Sequence, residues 1–127
     1  MKTSAPAKTS RKLKLTIIMP VRNEAINLKM ILKIINSLME EPYEILVVYD
    51  SPEDDSIPVA AEMQKKNPAV KPLHNTLGRG VINAVKIGVA AAKGDYVLIM
   101  PADDVGAIFG ISKMLAEIEK GYDMVSA

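Results

Sequence analysis

The sequence predicts an α/β protein of three layers, in which a mostly parallel sheet lies between two layers of helices. Short apolar runs with the composition of buried strands alternate with longer segments that carry the i, i+3, i+4, i+7 spacing of amphipathic helices. Polar residues, proline and glycine separate these segments. The resulting order, β-α-β-α-β-α-β-α-β, predicts right-handed crossovers and therefore parallel strands.

The first strand is predicted at residues 13–21, where the apolar run is nearly continuous. Asn23 and Asn27 are candidate caps for the following helix, which we expect to end before Pro42. A second strand is predicted at residues 43–49. The helix between these strands is indicated by a periodic apolar stripe, Leu28, Ile31, Leu32, Ile35 and Leu38.

The next unit is predicted to run from a polar turn at residues 50–56 to a short strand at residues 70–74. Ser56 is a candidate N-cap, and Pro58 falls in the first turn of a helix, where its missing N–H group costs little. We expect this helix to end near Lys66, because Asn67 and Pro68 follow.

The third helix is predicted from an apolar stripe between Val81 and Ala92, after a turn at residues 75–80. Gly94 is expected to close this helix as its C′ residue. A fourth strand is predicted at residues 95–100.

The last elements are a fourth helix and the start of a fifth strand. Apolar residues recur at helical spacing from Ile108 to Ile118, and Gly121 is expected to close that helix. Residues 122–126 are predicted to begin the fifth strand.

Composition limits the class of protein. The 127-residue chain has the size of one domain, with 49% apolar and 24% charged residues. Its net charge of +1 gives no sign of a dedicated nucleic-acid partner, and the absence of cysteine excludes disulfides. No apolar run approaches the length of a membrane span, about 18 residues, and the N-terminus lacks the apolar core of a signal peptide. We therefore expect a cytoplasmic protein.

The N-terminus is basic. Residues 1–12 are predicted to be a flexible tail, and residues 13–127 to form the folded domain. The alternative reading of the tail is weak attraction to an anionic membrane surface, which would make the protein peripheral there. The positive charges are Lys2, Lys8, Arg11, Lys12 and Lys14.

Polar residues follow each predicted strand and should meet at the carboxyl edge of the sheet, where parallel α/β proteins bind ligands. Asp50 directly follows the second strand and is a candidate for hydrogen bonds from a base or ribose. Asp54 and Asp55 fit turn residues better, since aspartate bonds the local backbone there. His74, the one histidine, is expected to be an ordinary surface or loop residue.

Two further segments could meet phosphate or metal. Asp103 and Asp104 follow the fourth strand and could offer oxygen ligands to Mg²⁺ or Mn²⁺, or one of them could merely cap the next helix. Gly78 and Gly80 flank Arg79 before a helix, where backbone can approach an anion, although an ordinary turn explains this segment equally well. The pattern is neither a dinucleotide fingerprint nor a P-loop.

Four segments form a recognisable set in chain order. Residues 17–24 are IIMPVRNE, residues 44–51 EILVVYDS, residues 78–84 GRGVINA and residues 92–97 AKGDYV. This set resembles family-2 inverting glycosyltransferases of the GT-A fold, most closely the dolichol- or polyprenyl-phosphate sugar transferases. The resemblance implies transfer of a sugar from a GDP- or UDP-linked donor to an acceptor such as a polyprenyl phosphate, in glycan or cell-envelope biosynthesis.

The resemblance also implies roles for residues. In that family the segment matching Pro20 to Glu24, including Arg22, contacts the nucleotide, and the acid matching Asp50 binds base or ribose. The match assigns Asp103 to the last acid of the Asp-x-Asp element that meets metal and diphosphate. Gly78 and Arg79 complete the expected donor site, whereas no catalytic base is nominated.

Three departures from the family pattern limit these expectations. Pro101 replaces the first acid of Asp-x-Asp, so metal binding must rest on Asp103, aided by Asp104. Tyr49 replaces one acid of the usual Asp-Asp pair. The chain also stops where family domains continue, so it resembles the donor-binding half of a transferase and is expected to expose an apolar edge that favours self-association.

Two other functions remain open at this point. The chain could be an inactive or truncated nucleotide-binding fragment of such an enzyme, which the short length and Pro101 favour. A sugar-1-phosphate nucleotidyltransferase is a more distant alternative, because its glycine-rich loop after the first strand is absent.

Overall fold

The computed structural model describes residues 12–125, so the predicted tail lies almost wholly outside the described part of the chain. The elements are β1 (Leu15–Pro20), α1 (Ala25–Leu38), β2 (Tyr43–Tyr49), α2 (Ser56–Lys66), β3 (Val70–His74), α3 (Val81–Ala91), β4 (Tyr96–Ile99), α4 (Val105–Ile108) and α5 (Ile111–Ile118).

The strands form one parallel sheet in the order β3-β2-β1-β4. Ile17 of β1 is in register with Ile45 on one side and Leu98 on the other. The parallel sheet predicted from the alternation of strands and helices is therefore confirmed. All four carboxyl ends lie at one edge, which places the loops that follow them side by side.

Helices cover both faces of the sheet, unequally. Alternate residues of β1 and β2 point to opposite faces, as the pleat of a strand requires. One face packs Ile17, Met19, Ile45 and Val47 against α1, α2, α4 and α5. The other packs Ile18, Leu46 and Val48 against α3 alone among the described helices. The predicted three layers are thus present.

Helix α3 lies very close to β1 because Gly88 has no side chain. A Cβ atom at Gly88 would stand 2.7 Å from Cγ2 of Ile18, which is fully buried. Gly94 allows a similar approach, since its Cβ would stand 2.6 Å from the backbone nitrogen of Thr16. The expectation that Gly94 is a left-handed C′ residue is wrong: α3 has its C-cap at Ala92, and Gly94 is needed for close packing instead.

The predicted helix caps also need correction. The cap position of α1 is Glu24 rather than Asn23 or Asn27, and that of α2 is Asp55 rather than Ser56. Neither cap residue accepts a side-chain hydrogen bond from a backbone N–H group of its own helix. The reason is tertiary, because the side chains of Asn23, Asp55 and Ser56 bond backbone N–H groups of the neighbouring turn instead.

The C-terminal region differs most from the prediction. The single helix expected from Ile108 to Ile118 is two short helices with a turn at Phe109 and Gly110 between them. Residues 122–125 are not a strand, and Ser126 lies outside the described part. A strand needs a neighbour for its backbone hydrogen bonds, and these residues are not paired with β4 or any other described strand. Gly121 does adopt a left-handed conformation, with φ of 106°.

None of the helices within residues 12–125 is both long enough and apolar enough to cross a membrane.

Candidate functional site

The loops after β1 and β2 are fastened to each other. The carboxylate of Asp54, which is buried, accepts hydrogen bonds from the backbone N–H groups of Asn23 at 3.0 Å and Ser56 at 2.7 Å. In return the side-chain oxygen of Asn23 accepts from the N–H of Asp55, and Ser56 Oγ accepts from the N–H of Glu24. These bonds hold Asn23 at a φ of 54°, a left-handed conformation that asparagine tolerates better than most residues.

The loop after β3 is fastened to Asp50. One carboxylate oxygen of Asp50 accepts a hydrogen bond from Asn75 Nδ2 at 2.7 Å, and the other accepts from the N–H of Gly80 at 3.3 Å. His74 Nε2 lies 3.1 Å from the backbone oxygen of Asp50, and its ring stacks on Tyr49 with centroids 5.1 Å apart. Asp50 is therefore held in place from two sides.

Three neighbouring hollows open at this edge of the sheet, with volumes of about 210, 240 and 750 Å³. Asp50 and Arg79 line all three, and Arg22 lines the two smaller ones. The 240 Å³ hollow also includes Pro20 and Glu24, and the largest includes Gly78. Six of the residues predicted for the donor site, those between Pro20 and Arg79, thus line one continuous cleft region.

The cleft combines two arginines with several carboxylates. Arg22 and Arg79 are both exposed, so their guanidinium groups can meet a ligand without being released from buried partners. Arginine binds phosphate oxygens in a bidentate manner, and free carboxylate lone pairs accept hydrogen bonds from sugar hydroxyls or base N–H groups. The chemistry of the cleft therefore suits a ligand that carries both phosphate and hydroxyl groups.

Asp103 and Asp104 are not among the residues that line these three hollows. Asp104 is the N-cap of α4, and its Oδ1 accepts from the N–H of Ala107 at 3.2 Å, which is the capping role considered from the sequence. Asp103 is exposed. Within residues 12–125 no group of three or more histidine, aspartate or glutamate side chains is placed to hold a metal ion.

Sequence reasoning missed the residues that connect the loops. The sequence predicts Asn75, Asn23 and Ser56 only as turn or cap residues, although each makes a bond across two loops. Asn75 directly follows β3 at the same edge as Asp50, which is a signal for a site residue. The partner of each amide could not be found from spacing, because the bonded residues lie far apart in the chain.

Comparisons with known proteins bear on the family and the fold of the chain. The family model described as "Glycosyl transferase family 2" matches residues 16–127. A dolichol-phosphate mannosyltransferase of Pyrococcus furiosus is 34% identical over 113 residues, which is 88% of this chain and 32% of that protein. The chain therefore spans about a third of the length of this curated relative.

Two solved structures show the same fold. A mannosyltransferase from Pyrobaculum calidifontis, in complex with GDP-Man and Mn²⁺, superposes with a TM-score of 0.63 at 24% identity over 74% of this chain and 28% of that chain. Glucosyl-3-phosphoglycerate synthase from Mycobacterium tuberculosis, in complex with UDP, gives a TM-score of 0.59 at 20% identity over 77% of this chain and 36% of that chain. The fold expected from the four motifs is confirmed by these likenesses.

Proposed function

The chain belongs to glycosyltransferase family 2, and from this premise we propose that residues 13–127 bind the nucleotide-diphosphate sugar of a glycosyl transfer reaction. The observation that carries the proposal is the cleft in which Asp50 and Arg79 meet at the carboxyl edge of the sheet. The donor is a GDP- or UDP-linked sugar, in keeping with the ligands named for the two structural neighbours.

The donor's parts fit different residues of the cleft. Arg79 and Arg22 are exposed cations beside Asp50, so they suit the diphosphate. The carboxylate of Asp50 uses one lone pair of each oxygen within the protein, and the remaining ones can accept hydrogen bonds from the nucleoside. The donor would also contact three residues that line the cleft wall, Pro20, Glu24 and Gly78.

Glycosyl transfer requires stabilisation of the negative charge that develops on the leaving diphosphate. An oxygen of the acceptor forms a bond to the anomeric carbon, while the bond from that carbon to the diphosphate oxygen breaks. The electron pair of the broken bond leaves with the nucleoside diphosphate, where an arginine lowers the energy of the growing negative charge. A phosphate acceptor brings an oxygen that is already anionic, so this chemistry requires no general base.

The two carboxylates that follow β4 suit a divalent cation whose other ligands come from the phosphates of the donor. Mg²⁺ commonly takes only one or two carboxylates and completes its shell with substrate phosphates and water. Asp103 is exposed and makes no hydrogen bond within residues 12–125, so it would be the first ligand, with Asp104 assisting beyond its capping bond. When bound, Mg²⁺ or Mn²⁺ supplies positive charge to the leaving diphosphate.

For the acceptor we propose a polyprenyl phosphate, which would bring the protein to a membrane surface. The support is that the Pyrococcus furiosus relative is a dolichol-phosphate mannosyltransferase, together with the motifs that resemble such enzymes. The basic residues before Thr16 would favour an anionic surface.

A second candidate function is nucleotide binding without turnover. It is favoured because neither Asp103 nor Asp104 lines any of the three hollows, and because Pro101 stands in place of an acid. The two functions differ in turnover and not in binding. Release of GDP or UDP from the donor on addition of polyprenyl phosphate would support transfer, and binding without release would support the second candidate.

A thermal-shift titration with GDP, UDP and their sugar conjugates, with and without Mn²⁺, tests the donor site. A ligand at a hundred times its dissociation constant should stabilise the fold by about 2.7 kcal/mol, which raises the melting temperature by several degrees. We expect one nucleotide to do this, and Arg79→Gln to weaken its binding about tenfold or more because a charge-assisted bond is lost. We also expect Mn²⁺ to increase the shift, and Asp103→Ala to remove that increase.

Lys86→Gln is the matched control, since Lys86 is an exposed cation on α3 that lines none of the three hollows. It should bind nucleotide like the unaltered chain. If folded protein showed no shift with any of these nucleotides, or if both variants lost binding equally, the donor site would not be where we place it.

A further inference from the structure

We infer that Asn75 is a positioning residue of the donor cleft, which fastens the loop of residues 75–80 to Asp50 and thereby sets the place of Arg79. The part of this inference that concerns the ligand of Arg79 rests on the proposed function. The fastening of the loop is a property of the chain alone.

The amide nitrogen and the amide oxygen of the Asn75 side chain both make hydrogen bonds. Its Nδ2 group donates to Asp50 Oδ1 at 2.7 Å and to the backbone oxygen of Gly78 at 2.8 Å. Its Oδ1 accepts from the N–H of Leu77 at 3.0 Å, and its own backbone N–H donates to the oxygen of Tyr49 at 2.8 Å. One side chain thus bonds both the end of β2 and two points within the loop.

Because Asn75 is buried, its hydrogen bonds contribute strongly to the conformation of the loop. Asn75 is 5% exposed, whereas the residues that follow it, from Thr76 to Gly80, are all exposed. An exposed loop has little apolar contact to hold it, so its conformation depends on the few hydrogen bonds that water cannot easily replace. The loop also contains Gly78 at φ of 115° and Gly80 at φ of 124°, conformations that only glycine adopts without strain.

Asp50 completes the fastening from the other side. Its second oxygen accepts from the N–H of Gly80, the cap position of α3. Arg79 lies between the two fastened points, Gly78 and Gly80, and makes no hydrogen bond of its own within residues 12–125. The backbone of Arg79 is therefore positioned by Asn75 and Asp50, while its side chain is available to bind a ligand.

Limited proteolysis tests the fastening without any ligand. Trypsin cleaves after Arg79 only when the loop opens, and Asn75→Ala removes the bonds to Asp50, Gly78 and Leu77. We expect cleavage after Arg79 to become about tenfold faster in that variant, because one of the lost bonds is charge-assisted. Cleavage after Lys65 in α2 serves as the internal reference for global opening.

Asn83→Ala is the matched control. Asn83 lies on α3 close to the same loop, where its Nδ2 is 3.2 Å from the position of a Cβ at Gly78, yet its side chain makes no hydrogen bond within the described residues. This variant should be cleaved like the unaltered chain. Equal cleavage after Arg79 in all three proteins would overturn the inference, as would an acceleration after Lys65 as large as that after Arg79.

A double-mutant cycle with Arg79 separates positioning from a general structural role. We expect Asn75→Ala to weaken binding of the stabilising nucleoside diphosphate about tenfold, and to weaken it by less than about twofold when Arg79 is already glutamine. Additive losses would show that Asn75 does not act through Arg79. If the unaltered chain bound no nucleotide, the proposed function would fall, and the proteolysis result would still decide the fastening.

Hydrogen exchange of the unaltered chain covers the case in which Asn75→Ala fails to fold. The N–H groups of Leu77 and Gly80 are bonded to Asn75 Oδ1 and Asp50 Oδ2, so they should exchange more slowly than that of Thr76. Exchange of all three at the rate of an open peptide would overturn the inference.

Discussion

Glu44 shows how a single buried carboxylate can order the end of the sheet opposite the cleft. It is 1% exposed, and its two oxygens accept from Thr16 Oγ1 at 2.6 Å, Lys71 Nζ at 2.9 Å and the backbone N–H of Lys93 at 2.7 Å. Thr16 Oγ1 in turn accepts from the N–H of Gly94 at 2.9 Å. Burial acts to raise the pKa of Glu44, but the bonds from Thr16, Lys71 and Lys93 outweigh it and hold the pKa below the ordinary 4.5.

This lowered pKa gives stability a defined pH dependence. The carboxylate of Glu44 stabilises the fold above its unfolded pKa, near 4.5, and this contribution is lost as the pH falls through the lower pKa of the folded state. We expect Glu44→Gln to reduce the free energy of unfolding at pH 7 by about 1–3 kcal/mol, because buried donors lose their acceptor. Urea unfolding at pH 7 and pH 4 would measure both effects.

Glu40→Gln provides the comparison, since Glu40 is exposed and makes no ion pair within the described residues. It should leave stability at pH 7 nearly unchanged. A Glu44→Gln variant as stable as Glu40→Gln at pH 7 would contradict the role assigned to the buried network.

Among the helices, α3 connects the packing of the sheet to the cleft. Its middle lies against β1 at Gly88, and its cap residue, Gly80, is bonded to Asp50. A change in the distance between α3 and the sheet must therefore change the position of Arg79, one residue before that cap. The helix is held by a small apolar cluster that includes Ile18 and Ala84, so it has little other packing to resist such a change.

We expect Gly88→Ala to destabilise the protein by about 1–3 kcal/mol, because the new Cβ would stand 2.7 Å from buried Ile18 and α3 would have to move away. Thermal unfolding measures this loss. Gly106→Ala in α4 is the control, since its Cβ would have 3.8 Å to the nearest atom, Asp104 Oδ1, and alanine favours helix by about 0.5–1 kcal/mol. Equal stability of the two variants would refute the tight contact of α3.

At the scale of the whole molecule, β4 gives the sheet an apolar border. Val97 and Ile99 are in register with Thr16 and Ile18, so their side chains lie on the face that carries α3. They are 41% and 50% exposed. The N–H groups of Tyr96 and Met100 donate to the backbone oxygens of Lys14 and Ile18, which directs those of Val97 and Ile99 away from the sheet.

We propose self-association through this border, because an edge strand with exposed apolar side chains offers both hydrogen bonds and burial to a second copy. Sedimentation velocity over a range of concentrations should show a dimer or larger species, and Ile99→Lys should reduce it. Ile26→Lys is the control, since Ile26 is 88% exposed on α1, across the sheet. A monomer at all concentrations, or equal loss in both variants, would contradict the proposal.

The sequence alone determined the elements up to β4 and the family, because both depend on patterns along the chain. Strands β2 and β3 begin and end where the apolar runs predict, and the four motifs led to the family whose model matches residues 16–127. These signals are local: periodicity, caps and turn residues act over a few positions. The candidate residues Asp50 and Arg79 were found in the same way, as polar residues at predicted strand ends.

Only the tertiary structure decided which of those residues meet. Asp50 is bonded to Asn75 and Gly80, and Asp54 to Asn23, although nothing in the spacing of these residues pairs them. The predicted fifth strand is absent from residues 122–125 because a strand forms only beside a partner. Hydrogen bonds between distant residues depend on where the parallel strands place their ends, and that is fixed by the packing of the whole sheet.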